Sequence, residues 1–515
     1  MVDLLQGFRV RIGARAGSAD TGRRRLAVRG SLVEICDHTA LPWWEGVAVA
    51  LGGGHGQARA DGVRVLLAGE VYNGPQVAEA LGDRSLTEGP DAELVLAAWL
   101  HWGLSSLRVL NGRFALALSD ERSGAVVLGT DHAGSVPLWV RADQDGLDVS
   151  TEAKVLNGDP TTALEVNGTE PVPGSGGVHR VPAGTAVLFR GLGEGRLHSA
   201  PVRTWTPPLS RELLAPDQAV ATVRARLTEA VRARVRRDPL PTVVLSGGID
   251  SSGVAALSRS VSGRIRSVSM GTDLSDEFPQ AALVARHLDA EHSEIIIPVA
   301  ELLPELVWAV WAAETADFTI LEYLMPLVAL YRRLADGPRR ILTGYGADIP
   351  LGGMHRTTTS LGPLDAAVAR DMATFDGLNE MTPVLSGMHG MWSTHPYWDR
   401  DLLDLLVRLD PGLKHRHGRD KWVLRQALSD LLPAQTVNRP KLGVHESSGT
   451  TSAWTTLLTA TGVPVARVAD AKRSMARQLF QRLVIQGEHP AEIPFDEVLR
   501  HATRATRQAE RQATA

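Results

Sequence analysis

The sequence of 515 residues contains a single cysteine, Cys36, so it offers neither an intramolecular disulfide nor a cysteine metal site. None of its hydrophobic runs approaches the roughly 18 residues that a membrane-spanning helix needs. The amino terminus also lacks a charged region followed by a long apolar one, which argues against a signal peptide. Together these absences favour the cytoplasm as the place where the protein works.

The chain also lacks an excess of charge of one sign. Its 54 Lys and Arg residues oppose 58 Asp and Glu residues, which gives a net charge of −4. We therefore expect no general attraction to nucleic acids or to anionic membranes. Several histidines are present, but the following four lack the spacing of zinc ligands: His395, His415, His417 and His445.

Short apolar runs divide the chain into two parts. Up to about residue 205, runs such as 63–68 and 114–118 are separated by glycine and turn residues, which predicts sheets packed on sheets. After a proline-containing linker at 204–210, strand candidates alternate with helical stretches, which predicts a parallel α/β sheet. The expected strands of this sheet are 242–245, 265–270, 294–297 and 340–343. Beyond about residue 360 we expect mostly helix.

The most specific motif is LSGGIDSSG at 245–253, between a predicted strand and a predicted helix. Its glycines let the backbone approach a ligand closely, and a helix N-terminus presents free amides to anions. The motif therefore predicts a phosphate site for ATP or pyrophosphate; a tight turn with a capped helix is the structural alternative. No Gly-Lys-Ser/Thr follows, so it is not a Walker loop. The expected binding residues are Leu245, Ser246, Gly247, Gly248, Asp250, Ser251 and Ser252.

Two more segments follow predicted strands and should lie at the same edge of the sheet. Met270 ends the second strand, and the string GYGAD, from Gly344 to Asp348, follows a later one. Asp348 supplies a second carboxylate, so Asp250 and Asp348 are candidates to hold Mg²⁺ between them. A helix cap is the alternative role for Asp348.

The order SGGIDSS followed by TGYGAD resembles the synthetase domain of class B asparagine synthetases. The first half resembles their glutaminase domain in the strings AGEVYN (68–73), NGRF (111–114), DHAGSVPL (131–138) and STEAK (150–154). The resemblance implies an α+β sandwich of the N-terminal-nucleophile hydrolase type at 1–208. It implies an α/β ATP-pyrophosphatase domain with a helical C-terminal part at 209–515. Such enzymes cleave ATP between its α and β phosphates and leave AMP on the substrate.

One departure from that pattern concerns the first domain. The glutaminase requires a cysteine directly after the initiator methionine, and this chain has Val2 there. Its single thiol, Cys36, lies far along the chain. We therefore expect a glutaminase fold without glutaminase activity. The activated carboxylate must then meet another amine, and an amine within the same substrate is the simplest candidate.

Nearly the full length resembles the β-lactam synthetases. The strings ILTGYGADIPLGGMHR (341–356), DMATFDGLNE (371–380), RHGRDKWVLR (416–425) and VNRPKLGVHE (437–446) carry this resemblance. It implies ATP- and Mg²⁺-dependent closure of N2-(2-carboxyethyl)-L-arginine to the β-lactam deoxyguanidinoproclavaminate on the clavulanic acid route, with release of AMP and pyrophosphate. The expected partner is this small amino acid, without nucleic acid or membrane, and a homodimer is left open.

The same resemblance implies roles for single residues. Tyr345 would lie near the attacking amine, and Glu380 would orient and charge Tyr345. Lys441 would stabilise the oxyanion of ring closure, and Lys421 would hold the departing pyrophosphate. From the residues alone, Lys421 and Glu380 would be taken as surface residues. The substrate contacts would be Tyr323, Tyr345, Gly346, Asp348 and Asp371.

Asp371 would pair with the guanidinium of the substrate, since such a pair gives orientation as well as energy. The polar, glycine-containing segment 443–452 is a candidate lid that excludes water from the adenylate.

Related enzymes share these motifs: a carbapenam-forming synthetase, a lasso-peptide cyclase and an asparagine synthetase that uses free ammonia. The region around Asp371 and the near-full-length similarity favour the β-lactam synthetases over these three. A non-catalytic nucleotide-binding or scaffold protein is the alternative from another class. The predicted phosphate-binding loop at 245–253, called the phosphate loop below, is present together with Tyr345, Glu380 and Lys441. This combination counts against a non-catalytic protein.

Overall fold

A computed structural model describes residues 4–13, 26–39, 41–52, 56–156, 158, 160–192, 196–208, 210–236, 238, 240–335, 337–355, 360–375, 382–440 and 448–514. The strands of the first part are β1 (Leu4–Gly13), β2 (Ser31–Asp37), β3 (Trp43–Leu51), β4 (Gln57–Ala60), β5 (Val63–Val71), β6 (Gly112–Asp120), β7 (Ala125–Thr130), β8 (Trp139–Ala142), β9 (Gly146–Ser150), β10 (Glu170–Pro171), β11 (His179–Arg180), β12 (Thr185–Arg190) and β13 (His198–Arg203). Its helices are α1 (Gly74–Ala80), α2 (Asp91–Trp102) and α3 (Ser106–Val109).

These strands form two layers that meet at one parallel bridge, between Leu5 and Ala68. One layer has the order β2–β3–β1–β9–β8–β11–β10, and the other has the order β4–β5–β6–β7–β12–β13. Side chains alternate along each strand. Leu66 of β5 lies in the core between the layers, whereas Leu67 and Leu116 lie in the core against α1 and α2. The predicted α+β sandwich is confirmed.

The second part is a parallel sheet with the order β16–β15–β14–β17–β18. Its strands are β14 (Thr242–Val244), β15 (Arg266–Gly271), β16 (Glu291–Ile296), β17 (Arg340–Leu342) and β18 (Trp392–Thr394). Its helices are α4 (Pro216–Val235), α5 (Ile249–Ser262), α6 (Phe278–His287), α7 (Val299–Leu302), α8 (Glu305–Ala313), α9 (Phe318–Arg333), α10 (Asp348–Leu351), α11 (Leu361–Thr374), α12 (Val384–Gly387), α13 (Arg400–Arg408), α14 (Pro411–Lys414), α15 (Trp422–Ala427), α16 (Ala434–Asn438), α17 (Thr450–Ala460), α18 (Val468–Phe480) and α19 (Phe495–Thr514). The predicted α/β domain with a helical C-terminal part is confirmed.

Two strands differ from the sequence prediction. β16 begins at Glu291 rather than at 294, because Glu291 already pairs with Arg266 of β15. β18 lies in the region that was expected to be mostly helical. Its residues pair with β17 at the edge of the sheet. Its sequence, Trp392 followed by Ser393 and Thr394, contains no apolar run of the kind that marked the other strands, so its position depends on this pairing.

One buried hydrophobic cluster contains residues of both parts. Val49 and Trp139 of the first part belong to the same buried cluster as Leu306 and Leu324 of α8 and α9. The domain boundary at residue 208 stays a prediction. Among the described residues, none of the helices combines the length and the hydrophobicity that a bilayer crossing requires.

Candidate active site

The loop between β14 and α5 has the geometry of a phosphate site. Gly247 adopts a φ of +72°, and a Cβ atom there would lie 2.5 Å from the backbone carbonyl carbon of Gln280. Gly248 directly precedes α5, so the amides of the first helical turn begin at this loop. The hydroxyls of Ser246 and Ser251 lie 3.1 Å apart beside them. Amides and hydroxyls at a helix N-terminus suit phosphate oxygens.

Two of the predicted loop residues support the loop from inside. Leu245 is buried, and its amide donates to the carbonyl oxygen of Val268 at 2.8 Å. Ser252 is also fully buried, and its amide donates to the carbonyl oxygen of Gly248 at 3.0 Å. Met270 is half-buried near the carboxyl end of β15, the strand that neighbours β14. These placements put Met270 at the same edge of the sheet as the loop.

Lys421 connects the two predicted metal ligands. Its Nζ lies 2.6 Å from Oδ2 of Asp250 and 2.7 Å from Oδ1 of Asp348. Burial lowers the pKa of Lys421, and Asp250 partly offsets this effect. The two carboxylates therefore converge on one point, where they contact the ammonium group of Lys421, and their role as ligands of Mg²⁺ stays a prediction.

The surroundings of Lys421 contradict the reading of this lysine as a surface residue. Its side chain has no exposed surface. Its φ of +52° lies in the left-handed region, which costs a non-glycine residue about 1 kcal/mol or more. Lys421 therefore lies in the interior beside Asp250 of the loop, and its contact with pyrophosphate stays a prediction.

The segment that follows β17 packs directly on the phosphate loop. A Cβ atom on Gly344 would lie 2.3 Å from the amide nitrogen of Ser251 and 2.6 Å from the carbonyl carbon of Asp250. Only a residue without a side chain permits this approach. It brings the neighbouring Tyr345 beside the loop. Gly346 has a φ of +94° and lies against the indole of Trp398.

Tyr345 is half-buried, and neighbouring residues define its position. Its amide donates to Oγ1 of Thr343 at 3.2 Å. Its ring meets the His395 ring edge to face, with the ring centres 5.6 Å apart. On its other sides the tyrosine packs against a small cluster that includes Trp398 and Met372. The predicted catalytic tyrosine is therefore held by its backbone and by its ring.

Two of the predicted substrate contacts, Tyr323 and Asp371, lie on the long helices α9 and α11. Tyr323 is half-buried on α9. Asp371 lies on α11, where its Oδ2 is 2.7 Å from Nε2 of His355, and both side chains are 30% exposed. Asp371 is thus accessible to a cationic group, and its neighbour His355 was not predicted as a site residue from the sequence.

Some predicted residues lie outside the described part of the chain. They include Glu380 and Lys441, which were predicted as catalytic residues. The predicted lid at 443–452 also lies partly outside, and its end, from Thr450, begins α17. Their roles stay predictions.

Three residues near the site were not predicted from the sequence: His395, Tyr397 and Trp398. His395 shares a hydrogen bond of 2.7 Å with the hydroxyl of Thr343, and the hydroxyl of Tyr397 donates to the carbonyl oxygen of Asp250 at 3.1 Å. These residues follow β18. Neither β18 nor the short turn after it carries a recognisable motif. Its aromatic side chains are the feature of this stretch that could have drawn attention to it.

Comparison with known proteins agrees with this architecture. Residues 222–381 and 371–490 match the family model described as asparagine synthase, and residues 57–171 match that of a glutamine amidotransferase domain. The carboxyethyl-arginine beta-lactam-synthase of Streptomyces clavuligerus is 55% identical over 439 residues, which cover 84% of each chain.

More distant relatives are named as glutamine-hydrolyzing asparagine synthetases. The glutamine-hydrolyzing asparagine synthetase B of Escherichia coli (strain K12) is 27% identical over 434 residues, covering 80% of this chain and 74% of the relative. That of Gallus gallus is 27% identical over 398 residues, covering 72% and 70%. With the fold and the phosphate loop, these matches define an ATP-dependent amide-forming ligase of the asparagine synthetase type. Within that class, the chain belongs to the family of the carboxyethyl-arginine beta-lactam-synthase.

Proposed function

We propose that this ligase joins AMP to the β-carboxylate of N2-(2-carboxyethyl)-L-arginine and then closes the β-lactam ring of deoxyguanidinoproclavaminate. The observation that carries the proposal is the contact of Gly344 with the Asp250–Ser251 backbone, which brings Tyr345 beside the phosphate loop. A nucleotide and an acceptor can therefore meet at one edge of the sheet. The name of the 55% identical relative supports the choice of substrate.

In the first step, a carboxylate oxygen attacks the α-phosphorus of ATP, and pyrophosphate leaves. The amides and hydroxyls of 246–252 would bind the β and γ phosphates. The converging carboxylates of Asp250 and Asp348 fit a magnesium ion, which would neutralise charge on the phosphates when bound. Lys421 would then turn its ammonium group from these carboxylates toward the departing pyrophosphate.

In the second step, the secondary amine of the substrate attacks the carbonyl carbon of the acyl-adenylate. The nitrogen loses a proton and AMP leaves. Tyr345, with Glu380, would orient the amine and take up its proton. Lys441 would stabilise the oxyanion, and Asp371 would pair with the guanidinium so that the chain curls and nitrogen meets carbonyl. Tyr323 and Gly346 would complete the contacts with the substrate.

A single incubation with ATP, Mg²⁺ and N2-(2-carboxyethyl)-L-arginine tests this function. Mass spectrometry should show a product lighter than the substrate by one water, and nucleotide analysis should show AMP and pyrophosphate. Parallel reactions with carboxymethyl-proline, and with aspartate plus ammonia, test the carbapenam-forming and asparagine-forming alternatives. Formation of ADP, or turnover of an alternative substrate in preference to the arginine derivative, would contradict the proposal.

Three further expectations accompany this function. We expect no release of ammonia from glutamine, because Val2 stands where the glutaminase has its cysteine. An ammonia assay with glutamine as the sole nitrogen source checks this point. Cytoplasmic location and a homodimer also stay predictions, and cell fractionation and sedimentation analysis test them.

A further inference from the structure

Residues 392–399, with the sequence WSTHPYWD, connect the first domain to the active site. They comprise β18, the short 3-10 helix Pro396–Trp398 and the residue that caps α13, and we call them the bridging segment. Every residue of the segment is buried. The segment lies at the edge of the parallel sheet, next to β17.

On one side, the first domain holds the bridging segment with polar side chains. The indole nitrogen of Trp392 donates to Glu70 at 2.9 Å, and the hydroxyls of Tyr72 and Thr394 lie 2.9 Å apart. Further bonds join Arg113 to the carbonyl of Ser393, Asn111 to Asp399, and His132 to the carbonyl of Trp398. The first-domain partners are themselves buried, so water does not compete for these bonds.

On its other side, the bridging segment contacts the elements that carry the predicted site. The hydroxyl of Tyr397 donates to the carbonyl oxygen of Asp250 at 3.1 Å. The indole of Trp398 lies against Gly346 and stacks on Phe375, with the ring centres 3.8 Å apart, at the end of the helix that carries Asp371. One segment of eight residues therefore reaches the phosphate loop, the Tyr345 turn and α11.

His395 provides the contact nearest to the predicted chemistry. Its Nδ1 shares a hydrogen bond of 2.7 Å with Oγ1 of Thr343, and the same oxygen accepts the amide of Tyr345 at 3.2 Å. The edge-to-face contact between the His395 and Tyr345 rings adds a second constraint. We propose that His395 is a positioning residue for Tyr345 in amide formation, and that the first domain fixes His395 through the bridging segment. This inference rests on the proposed function of Tyr345.

The chemistry of His395 suits positioning rather than proton transfer. Burial, with help from Arg113 and Arg234, lowers its pKa well below the usual range, so the imidazole is neutral at neutral pH. A neutral, buried ring is a fixed hydrogen-bond partner. His395 contacts the Tyr345 turn, whereas Tyr397 contacts the phosphate loop. Loss of the His395 hydrogen bond should therefore affect amide formation more than adenylation.

The test separates the two half-reactions in the full-length protein. Adenylation is followed by exchange of radiolabelled pyrophosphate into ATP in the presence of N2-(2-carboxyethyl)-L-arginine, and ring closure is followed by product formation. His395→Leu should leave exchange near the wild-type rate and lower the kcat of ring closure by about tenfold to a hundredfold, since small displacements of reacting groups have such effects. Thr343→Val should produce the same selective loss.

Conservative variants provide the matched controls. His395→Asn places an amide near the position of Nδ1 and should recover most of the ring-closure rate, as should Thr343→Ser, which keeps the hydroxyl. Tyr72→Phe, which removes one first-domain bond to the bridging segment, should lower ring closure by about threefold without changing exchange. An unchanged ring-closure rate in Tyr72→Phe would overturn the part assigned to the first domain.

The remaining outcomes distinguish this inference from the proposed function. Equal losses in both half-reactions, without recovery in His395→Asn, would show a purely structural histidine and overturn the inference. If Tyr345→Phe abolishes ring closure but His395→Leu closes the ring at the wild-type rate, only the present inference fails. If Tyr345→Phe closes the ring at the wild-type rate, the role of Tyr345 in the proposed function fails, and the inference fails with it.

Discussion

Arg340 and Glu70 form a buried, bidentate ion pair between the two domains, with N–O distances of 2.8 and 2.7 Å. Arg340 begins β17, the strand that leads to Gly344 and Tyr345. Burial raises the pKa of Glu70, but Arg340 and the hydrogen bond from Trp392 outweigh burial and lower the pKa to about 2. The first domain thus supplies the anion that Arg340 requires in the core, which is a structural role for this domain.

This ion pair predicts how stability depends on pH. The pKa of Glu70 is about 2 in the folded protein, against an ordinary value of 4.5. Its stabilising contribution is therefore complete above pH 4.5 and is lost as the pH falls toward 2, by about 3 kcal/mol in all. Urea unfolding across this range measures the loss.

The variant Glu70→Gln is the control for that experiment. It should lack this part of the pH dependence and should be less stable at neutral pH by about 3 kcal/mol, because Arg340 remains buried without its anion. The interpretation is wrong if the variant and the wild type lose stability in parallel between pH 4.5 and 2.

The close approach of Gly344 to the phosphate loop predicts that Gly344→Ala impairs adenylation. The added methyl group would lie 2.3 Å from the amide nitrogen of Ser251, so the loop must shift. We expect pyrophosphate exchange to fall by about a hundredfold, with the far-ultraviolet circular dichroism unchanged. Gly362→Ala is the matched control, because Gly362 is exposed near the start of α11 and its Cβ would meet no atom within 4 Å. Pyrophosphate exchange at the wild-type rate in both variants would contradict the role of this close packing in adenylation.

The position of Lys421 predicts competition between its ammonium group and a divalent cation. Lys421→Met leaves Asp250 and Asp348 together without their shared cation, which should lower stability in metal-free buffer by about 3 kcal/mol. Mg²⁺ should then raise the melting temperature of the variant more than that of the wild type. Pyrophosphate exchange should decrease.

Asp348→Asn in the Lys421→Met background serves as the control for that measurement. It removes one of the two carboxylates, so the additional stabilisation by Mg²⁺ should disappear. Equal stabilisation of Lys421→Met and wild type by Mg²⁺ would show that these carboxylates do not form the metal site.

The buried hydroxyl of Tyr397 predicts an effect on nucleotide binding. It donates to the carbonyl oxygen of Asp250, and burial raises its pKa well above the usual value, so it keeps its proton. Tyr397→Phe should lower the free energy of unfolding by about 1 kcal/mol and raise the KM for ATP, because the first turn of α5 loses an anchor. An unchanged KM for ATP would indicate that this bond does not help to position the phosphate loop.

The sequence predicted contiguous features well and discontinuous ones less well. The phosphate loop was recognisable because 245–253 contains its glycines, serines and carboxylate in one stretch. β18 was missed because Trp392, Ser393 and Thr394 form no apolar run, and the strand is recognised by its pairing with β17 at the sheet edge. The pairing of His355 with Asp371 joins two elements without a shared motif, so it became visible only in the folded chain.

By itself the sequence determined the fold class of both parts, the glycine- and serine-rich loop at 245–253 and the family, since local hydrophobic period and short motifs encode each of them. Tertiary structure alone decided that Lys421 lies between Asp250 and Asp348, although 171 residues separate Lys421 from Asp250. It also decided that the bridging segment joins the first domain to Tyr345. Contacts of this kind arise when distant elements pack together, because burial selects partners by position in space and not by their distance along the chain.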